Sequence, residues 1–345
     1  MNKNCILFFL ILPVIARGQQ PDYDTDRRFT VAFYNLEYLF DTYNDPNTYD
    51  DAYTPSGDKK WTPGRYREKI DHTGKVFTSL DPCENPEIIG LAEVENRQVL
   101  LDLIRSERFS DTYYKMVHED SPDPRGIDVT MLYRPDEFEY IKHQPIPILF
   151  PFDRESSVRD ILYVKGIASG KDTLHVFINH WKSRAGGREA TRQKRVYSAR
   201  VLKRYTDSIL DHNTNARIVI TRDFNDEPHY KSLSQVLEAG CPQDDESGSD
   251  LHNLMCKKYR QGRGTYYYRS EWYMLDNFIV SFPLLRERGF TITEEGVKIF
   301  NPPWVLYVRP NGTKVPDRTY GGNDYFRCYS DHLAIYGTFG YVSKN

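Results

Sequence analysis

Residues 217–228 read RIVITRDFNDEP, and this short stretch contains the pattern on which the prediction of the fold rests. Its first part, 217–221, is an apolar run typical of a buried β-strand. The strand then meets Asp223 and Asn225, polar side chains that do not belong in a hydrophobic core. A single Asp or Asn at a strand end usually forms a turn. Asp223 and Asn225 therefore indicate a functional site only if other strands end in the same way.

Other predicted strands do end in polar residues. Apolar or alternating runs predict strands at 28–35, 87–92, 128–133, 173–179, 274–281 and 332–339. The polar residues at or near their ends are Asn35, Glu93, His180, Asp276, Asp331 and His332. Carboxylates, amides and imidazoles that recur at strand ends indicate one shared site at the rim of a sheet.

Helical patterns lie between these strands, at 63–80, 98–106, 185–211 and 232–239. Two polar stretches rich in Asp, Gly, Pro and Tyr, 43–62 and 241–265, predict long surface loops. No linker interrupts the alternation, so we expect a short tail at 19–27 and then a single domain over 28–345. The expected fold class is α/β (α+β), with sheets packed on each other and helices outside.

Composition excludes a disordered or membrane-embedded chain, because 39% of the 345 residues are hydrophobic and 28% are charged. The net charge of −3 means that polyanion binding would need a local basic patch. One candidate patch, 182–204, holds nine Lys or Arg residues against Glu189 alone. It could attract a polyanion toward His180, although a charge-dense helix is more often a solvated face.

The N-terminus predicts the compartment. Lys3 precedes an apolar run at 5–16, and small residues then precede polar Gln19. This pattern is typical of a signal peptide, here 1–18 with cleavage after Gly18. The alternative is a membrane anchor, but so short a run does not span about 30 Å of hydrocarbon. We therefore expect a secreted or periplasmic protein without stable membrane insertion.

Four cysteines remain after that cleavage: Cys83, Cys241, Cys256 and Cys328. None has C-x-x-C spacing, which argues against a zinc site built on sulfur. An oxidising compartment permits disulfides in any of three full connectivities, and four free thiols are the alternative. Cys241 with Cys256 closes the shortest loop and is our choice.

Seven segments in order carry a family resemblance across nearly all of the mature chain. They are VAFYNLEYLFDT (31–42), GLAEVENR (90–97), RGIDVTMLYRP (125–135), INHWKSR (178–184), RDFNDEP (222–228), LDNFIVS (275–281) and SDHLAIYG (330–337). The sequence resembles the endonuclease/exonuclease/phosphatase superfamily. This resemblance implies a four-layer α/β sandwich, in which two mostly antiparallel sheets face each other and helices cover the outer faces.

The resemblance also implies a metal site and its ligands. Glu93 matches a metal-binding glutamate, and a hard carboxylate suits Mg²⁺ or Mn²⁺. Asn35 would lie beside the metal or the phosphate, and Asp331 would be a ligand or orient the site. Asp223 matches the residue that orients or deprotonates the attacking water, and Asn225 an amide that holds a phosphate oxygen.

The two histidines complete the implied catalytic set. His332 would stabilise the charge that develops on phosphorus, and His180 would pair with Asp276, which would fix its tautomer. Tentative substrate contacts are Arg125, Asp128, Lys182 and Arg184, although Arg125 and Asp128 are as readily explained by a surface ion pair.

The expected function is a secreted, metal-dependent phosphodiesterase or nuclease whose partner is a phosphate-ester substrate such as nucleic acid. A sphingomyelinase-like or phosphoinositide-type enzyme is the alternative, and it should expose an apolar hairpin. The best candidate for one, 301–308, is expected to be buried. A catalytically inactive binding protein is a third reading. Arg222 favours it, because the family usually has glycine there and a large side chain could displace Asp223. Strand alternation instead predicts that Arg222 points away from Asp223.

Overall fold

The computed structural model describes residues 23–81, 84–242, 248–286 and 288–342, with side chains from Arg28 onward. The predicted signal peptide at 1–18 and Cys83 lie outside the described residues. The first strand begins at Tyr23, within the predicted tail. No helix in the described part of the chain is both long and apolar enough to cross a membrane.

The described residues form nineteen strands, numbered here in chain order. They are β1 (Tyr23–Leu39), β2 (Ile88–Val94), β3 (Lys115–His118), β4 (Asp128–Tyr133), β5 (Phe138–Ile146), β6 (Ile161–Ala168), β7 (Asp172–His180), β8 (Arg217–Asp223), β9 (Ala239–Gly240), β10 (Leu251–Asn253), β11 (Tyr266–Tyr268), β12 (Glu271–Tyr273), β13 (Asp276–Ser281), β14 (Gly289–Ile299), β15 (Leu306–Val308), β16 (Lys314–Pro316), β17 (Tyr320–Gly321), β18 (Asp324–Tyr325) and β19 (Ile335–Val342).

Helices are fewer. The α-helices are α1 (Pro63–Phe77), α2 (Arg97–Ile104), α3 (Arg188–His212) and α4 (Cys256–Arg260). Single turns of 3-10 helix occur at Asp51–Tyr53, Glu107–Phe109, Phe282–Leu285 and Pro303–Val305, and a π-helical turn occurs at Ser232–Val236.

Two large sheets make up the body of the molecule. One has six strands in the order β14-β19-β1-β2-β4-β3, and the other has seven in the order β5-β6-β7-β8-β13-β10-β9. Within these two sheets the neighbours are antiparallel except for β1 with β2, β7 with β8, and β9 with β10. The predicted pair of mostly antiparallel sheets is confirmed.

Strand alternation divides the side chains into three cores. Phe33 of β1 and Ile178 of β7 belong to the core between the sheets. Their neighbours point the opposite way, so Tyr34 packs under α1 and α2, while Phe177 packs under α3. Gly90 of β2 allows the sheets to approach, since a Cβ there would lie 2.7 Å from Ile178 Cδ1. The result is the predicted four-layer sandwich.

The bounds of all four predicted helices differ from the observed ones, and two differences have a clear physical reason or change the element. Helix α3 begins at Arg188 rather than at 185, because Gly186 and Gly187 have φ values of 86° and 110° that no helix accommodates. The predicted helix at 232–239 is a single π-helical turn in which the Leu237 N–H bonds the Ser232 carbonyl. The chain then enters β9.

Three long strands were not predicted: β5, β6 and β14. In β5 the outward side chains are mostly exposed and several are charged or polar, so no apolar run marks the strand. The predicted loop at 241–265 contains β10 and α4, and the disulfide between Cys241 and Cys256 confirms our choice of pair.

The expectation that 301–308 is buried is wrong in part. Strands β15 and β16 form a hairpin, and within 301–308 only Val305 is buried. Tyr307 and Val308 are 51% and 55% exposed. The hairpin pairs with neither large sheet, so two of its apolar side chains have no core to enter.

Candidate active site

The ends of strands from both sheets surround a cleft of about 950 Å³. The six-stranded sheet contributes Glu37 and Glu93, and the seven-stranded sheet contributes His180 and Asp223. The segment before β19 adds two more side chains that sequence analysis singled out, Asp331 and His332. Residues from Glu37 to His332 thus meet at one rim, as the strand-end pattern predicted.

Asp223 lies at the centre of this cleft because of strand register. In the ladder Asp223 is opposite His180 of β7 on one side and Asp276 of β13 on the other. Its Oδ1 accepts a 2.9 Å hydrogen bond from the Asn225 backbone N–H. Its Oδ2 accepts one of 3.2 Å from Asn35 Nδ2 of the facing sheet. The carboxylate is therefore fixed from both sheets.

Both histidines turn a ring nitrogen toward this carboxylate. His180 Nε2 lies 3.5 Å from Asp223 Oδ2, and His332 Nε2 lies 3.8 Å from the same atom. Asn225 is held in turn by Trp181, whose carbonyl accepts a 3.3 Å hydrogen bond from Asn225 Nδ2. An attacking water between these groups would have a base and two imidazoles within reach.

Asp276 pairs with His332 rather than with His180, so the predicted partner was wrong. His332 Nδ1 and Asp276 Oδ2 are 2.7 Å apart. Strand β8 separates β7 from β13, which places Asp276 two strands, roughly 10 Å, from His180. His180 Nδ1 has no hydrogen-bond partner among the described residues.

The two imidazoles differ in charge. Burial and the nearby guanidinium groups of Arg159 and Arg125 hold the pKa of His180 well below its usual value. Burial also disfavours the charged form of His332, but the carboxylates of Asp276 and Asp223 outweigh it and raise the pKa of His332 well above the usual value. The surroundings of His180 thus favour its neutral form, and those of His332 favour the imidazolium.

Glu93 occupies a strained position at the end of β2. Its φ is 63°, in the left-handed region that non-glycine residues rarely adopt, and Glu37, Tyr38 and Asn225 share that region. The Tyr38 N–H donates to Glu93 Oε2 at 3.1 Å, and Glu93 Oε1 lies 3.7 Å from His180 Nε2. All four of these residues with a left-handed backbone line the cleft.

The donor set suits a hard divalent cation. Burial and the carboxylate of Asp331 raise the pKa of Glu93, and burial raises that of Asp223 although the His332 imidazolium opposes it. A bound Mg²⁺ or Mn²⁺ would offset this clustering of buried like charges. Asp331 Oδ2 accepts a 2.9 Å hydrogen bond from Arg318, and Asn35 Oδ1 accepts one of 3.0 Å from the Glu37 N–H. Each oxygen retains a lone pair for a ligand.

A sequence model of the endonuclease/exonuclease/phosphatase family matches residues 30–340. The chain belongs to this family. Family members hydrolyse phosphate esters, including those of nucleic acids. No curated protein matches the sequence.

Solved structures of the family share the fold of this chain. A family protein from Bacteroides thetaiotaomicron is 17% identical, with a TM-score of 0.56 over 94% of this chain and 100% of that one. The D. rerio TDP2 complex with single-strand DNA product is 15% identical, with a TM-score of 0.52 over 90% and 98%. A mannosyl-6-phosphatase from B. thetaiotaomicron VPI-5482 is 16% identical, with a TM-score of 0.53 over 90% and 99%. At these identities the likeness is one of fold.

The tentative substrate residues separate into two groups. Arg184 lines the cleft and donates from Nε to the Asn225 carbonyl at 2.8 Å. Arg125, Asp128 and Lys182 are absent from the cleft lining. Arg125 pairs with Asp123 rather than with Asp128, because both carboxylate oxygens of Asp123 lie 3.0 Å from its guanidinium.

Asp128 belongs to a second group that could hold a metal ion. His118 Nε2 lies 3.1 Å from Asp128 Oδ2 and 4.0 Å from Asp120 Oδ1. Asp128 Oδ1 accepts a 2.8 Å hydrogen bond from the Ser121 N–H. Both oxygens of Asp128 are therefore already engaged by the protein.

Most of the basic stretch at 182–204 does not face the cleft. Arg184 and Arg188 line it, whereas Lys194 and Arg195 form ion pairs of 2.6 Å and 2.8 Å with Asp153 and Asp226. Salt bridges that fix α3 to its neighbours account for part of the charge. The attraction of a polyanion along the whole helix is thus not supported.

Sequence reasoning missed several side chains of the site. Glu37 was inside a quoted segment, but its surroundings, NLEYLF, gave no sign that its carboxylate turns inward to accept from the Thr319 and Tyr320 N–H groups. Burial and Asp331 raise the pKa of Glu37 to about 7. Tyr266 and Tyr268, which line the cleft, come directly after the predicted loop at 241–265. Their strand has only three residues, which is too short for a recognisable pattern.

Proposed function

We propose that this chain is a divalent-metal-dependent phosphodiesterase that acts on nucleic acid. The observation that carries the proposal is the convergence on one cleft of Glu93, Asp223 and two histidines, His180 and His332, whose surroundings shift their pKa values in opposite directions. Such a set can deprotonate a water and stabilise a phosphorane without a covalent enzyme intermediate.

Asp223 would receive the proton of the attacking water. Its carboxylate is held by the Asn225 N–H and the Asn35 amide, and burial raises its pKa toward that of an effective base. A divalent cation held by Glu93, with Asp331 and Asn35 beside it, would supply Lewis acidity to the phosphoryl oxygen.

The histidines would act on the developing negative charge. The His332 imidazolium, oriented by Asp276 through Nδ1, presents Nε2–H toward the cleft and can donate to a phosphoryl oxygen. Neutral His180 can donate or accept on the opposite side of Asp223 without adding charge.

A phosphodiester substrate is favoured over a small monoester by the cleft itself. Its volume of about 950 Å³ exceeds the need of one phosphate, and tyrosines and arginines extend the lining away from the histidines. Among the fold relatives are a TDP2 with bound single-strand DNA product and a mannosyl-6-phosphatase, so both kinds of substrate belong in the test.

A lipid phosphodiesterase is the second candidate. The β15–β16 hairpin exposes Tyr307 and Val308, which is the feature that a membrane-docking enzyme requires. Sphingomyelin is therefore a necessary substrate in any comparison.

Secretion is part of the same proposal. A signal peptide at 1–18 would deliver the chain to an oxidising compartment, and the disulfide between Cys241 and Cys256 is of the kind that persists there. N-terminal sequencing of the exported protein should begin at Gln19.

The first experiment measures hydrolysis by the chain from Gln19 onward. Plasmid DNA, bis-p-nitrophenyl phosphate, a phosphomonoester and sphingomyelin are each incubated with Mg²⁺, with Mn²⁺ and with chelator. We expect metal-dependent cleavage of DNA and of the diester, and a loss of at least about 100-fold in His332→Ala. His143→Ala, which changes a histidine outside the cleft lining, is the matched control. A folded protein that cleaves none of these esters would instead be a binding protein.

A further inference from the structure

The β11–β12 hairpin forms one wall of the cleft. Its two strands pair Tyr266 with Tyr273 and Tyr268 with Glu271. The turn residues Arg269 and Ser270 both have positive φ, 47° and 68°, as a tight two-residue hairpin turn requires. The hairpin is thus a short projection closed by a tight turn, and it begins directly after the predicted loop at 241–265.

Alternation along β11 gives this hairpin two different faces. Tyr266, Tyr268 and Tyr273 line the cleft. Tyr267 points the other way, against Trp272 with ring centroids 5.4 Å apart and under the Arg309 guanidinium at 4.9 Å. The rear face therefore anchors the hairpin, and the front face is free to meet a ligand.

The front face continues from a catalytic histidine out to solvent. The Tyr266 ring lies 4.8 Å from the His332 imidazole, at an interplanar angle of 35°. The centroid of the Tyr268 ring lies 6.3 Å from that of Tyr266, and the angle between the two ring planes is 23°. Tyr268 is 49% exposed. Behind them the Arg184 guanidinium lies 5.1 Å from the Tyr273 ring.

Packing alone does not explain the outer tyrosine. Neither Tyr266 nor Tyr268 belongs to any of the hydrophobic cores formed by the described residues. The half-exposed Tyr268 ring lies one aromatic residue away from His332, and the Arg269 guanidinium lies 5.3 Å from its centroid, so the ring and the cation together border the cleft. Such a surface suits a planar ring carried by the substrate.

We infer that this hairpin is a stacking platform for the nucleobase next to the scissile phosphate, and that the substrate is single-stranded nucleic acid. The inference rests on the proposed phosphodiesterase function and gives its substrate class. A base can lie on Tyr268 only if it has left its own stack, which excludes the interior of a duplex. Stacking on tyrosine accepts any base, so cleavage should show little sequence preference.

The test compares two oligodeoxynucleotides of the same length, one with bases throughout and one with abasic residues flanking the cleaved bond. We expect the wild-type chain to cleave the first with a kcat/KM roughly tenfold higher, the effect of one stacked base. Tyr268→Leu should lower kcat/KM for the first only, so that the ratio approaches one. Tyr307→Leu changes a tyrosine of similar exposure on the neighbouring hairpin and should leave the ratio unchanged.

A second readout separates this inference from hydrolysis. Binding of an oligonucleotide that contains 2-aminopurine, measured in chelator, should quench its fluorescence with the wild-type chain and not with Tyr268→Leu. If no ester is cleaved but this quenching is seen, the platform stands and the catalytic proposal fails. If cleavage occurs with no preference for bases, or Tyr268→Leu keeps that preference, the platform is wrong. A preference for a sugar phosphomonoester that Tyr268→Leu weakens would overturn it as well.

Discussion

The guanidinium of Arg222 lies over the indole of Trp181, 3.4 Å from the ring centroid, and 4.3 Å from the centroid of the Phe224 ring. Its Nε donates to the Asp223 carbonyl at 2.9 Å, whereas neither Nη has a partner among the described residues. Burial lowers the pKa of Arg222, but a guanidinium is basic enough to keep its proton. A charged group thus lies buried directly behind His180 and Asp223, two residues proposed to act in catalysis.

This arrangement corrects the concern that a large side chain at 222 displaces Asp223. Arg222 is opposite Asn179 in the ladder and points to the outer face of the sheet, while Asp223 keeps its register with His180. The Arg222 charge favours the ionised form of Asp223 and the neutral form of His180. We therefore expect Arg222 to act on the site through its charge, and its position gives no support to the reading of an inactive protein.

Replacing Arg222 should separate stability from activity. We expect Arg222→Met to be at least as stable as the wild type, because a buried charge with unpaired nitrogens is removed and the side-chain volume is nearly kept. Its kcat should fall about tenfold near neutral pH, since Asp223 loses a stabilising charge and the acid limb of the pH–rate profile moves to higher pH. Arg222→Lys, which keeps the charge, should leave that limb in place. An unshifted limb in Arg222→Met would contradict the electrostatic role.

At the site, sequence predicted which residues meet but not how they pair. Asp223, His180 and His332 were found because each is polar at the end of an apolar run. The pairing of Asp276 with His332 depends on strand order, and nothing in the sequence states that β8 lies between β7 and β13. Arg125 and Asp128 share a motif but have different partners, Asp123 and His118, for the same reason.

Strand β7 carries a second buried histidine besides His180. The Tyr163 hydroxyl of β6 lies 2.7 Å from His175 Nδ1, and the two rings stack with centroids 5.9 Å apart. Burial, with the charges of Lys165 and Lys142, lowers the pKa of His175 to about 4. The imidazole is therefore neutral in the folded sheet at pH values where an unfolded chain would protonate it.

This histidine should make the β6–β7 pair sensitive to acid. Between the usual pKa of about 6.5 and the folded value, the unfolded chain binds more protons than the folded one, so stability falls as pH falls. We expect a loss of about 1–2 kcal/mol between pH 7 and pH 5 from this group. Urea unfolding at the two pH values should show a smaller loss in His175→Gln, whose side chain does not titrate. If the free energy of unfolding falls equally in both proteins, a group other than His175 causes the sensitivity to acid.

Most of the strands that were predicted are buried on both faces and along most of their length. Strands β2, β7, β8 and β13 read as apolar runs because they lie in the middle of their sheets. Strand β5 is at the edge of its sheet and presents mostly exposed residues, so it was missed. The β11–β12 hairpin is too short for any periodicity, and its place at the cleft follows only from tertiary packing.

At the scale of the whole molecule, the cleft concentrates buried negative charge where the two sheets meet. The seven segments in order were enough to predict the sandwich, because each supplies a strand or a strand end. The cost of placing Glu93, Asp223 and Asp331 together was not visible in sequence, since it depends on their burial at one rim. A divalent cation that binds only the folded chain should relieve this repulsion and stabilise the fold.

Thermal unfolding should therefore respond to metal. We expect Mg²⁺ or Mn²⁺ at about 100 times its dissociation constant to stabilise the chelator-treated protein by about 2.7 kcal/mol, which raises Tm by a few degrees. Glu93→Gln should abolish this rise. In chelator Glu93→Gln should also melt at or above the wild-type Tm, because the variant lacks one of the mutually repelling carboxylates.

Asp120→Asn is the matched control, since it removes an exposed carboxylate from the group of His118, Asp120 and Asp128. If the metal binds in the cleft, Asp120→Asn keeps the full rise in Tm. If Asp120→Asn loses the rise and Glu93→Gln keeps it, the cation binds beside β3 and β4 instead. Metal dependence of cleavage would then lack a ligand at the reacting centre, and the role of Glu93 would have to be that of an acid or base.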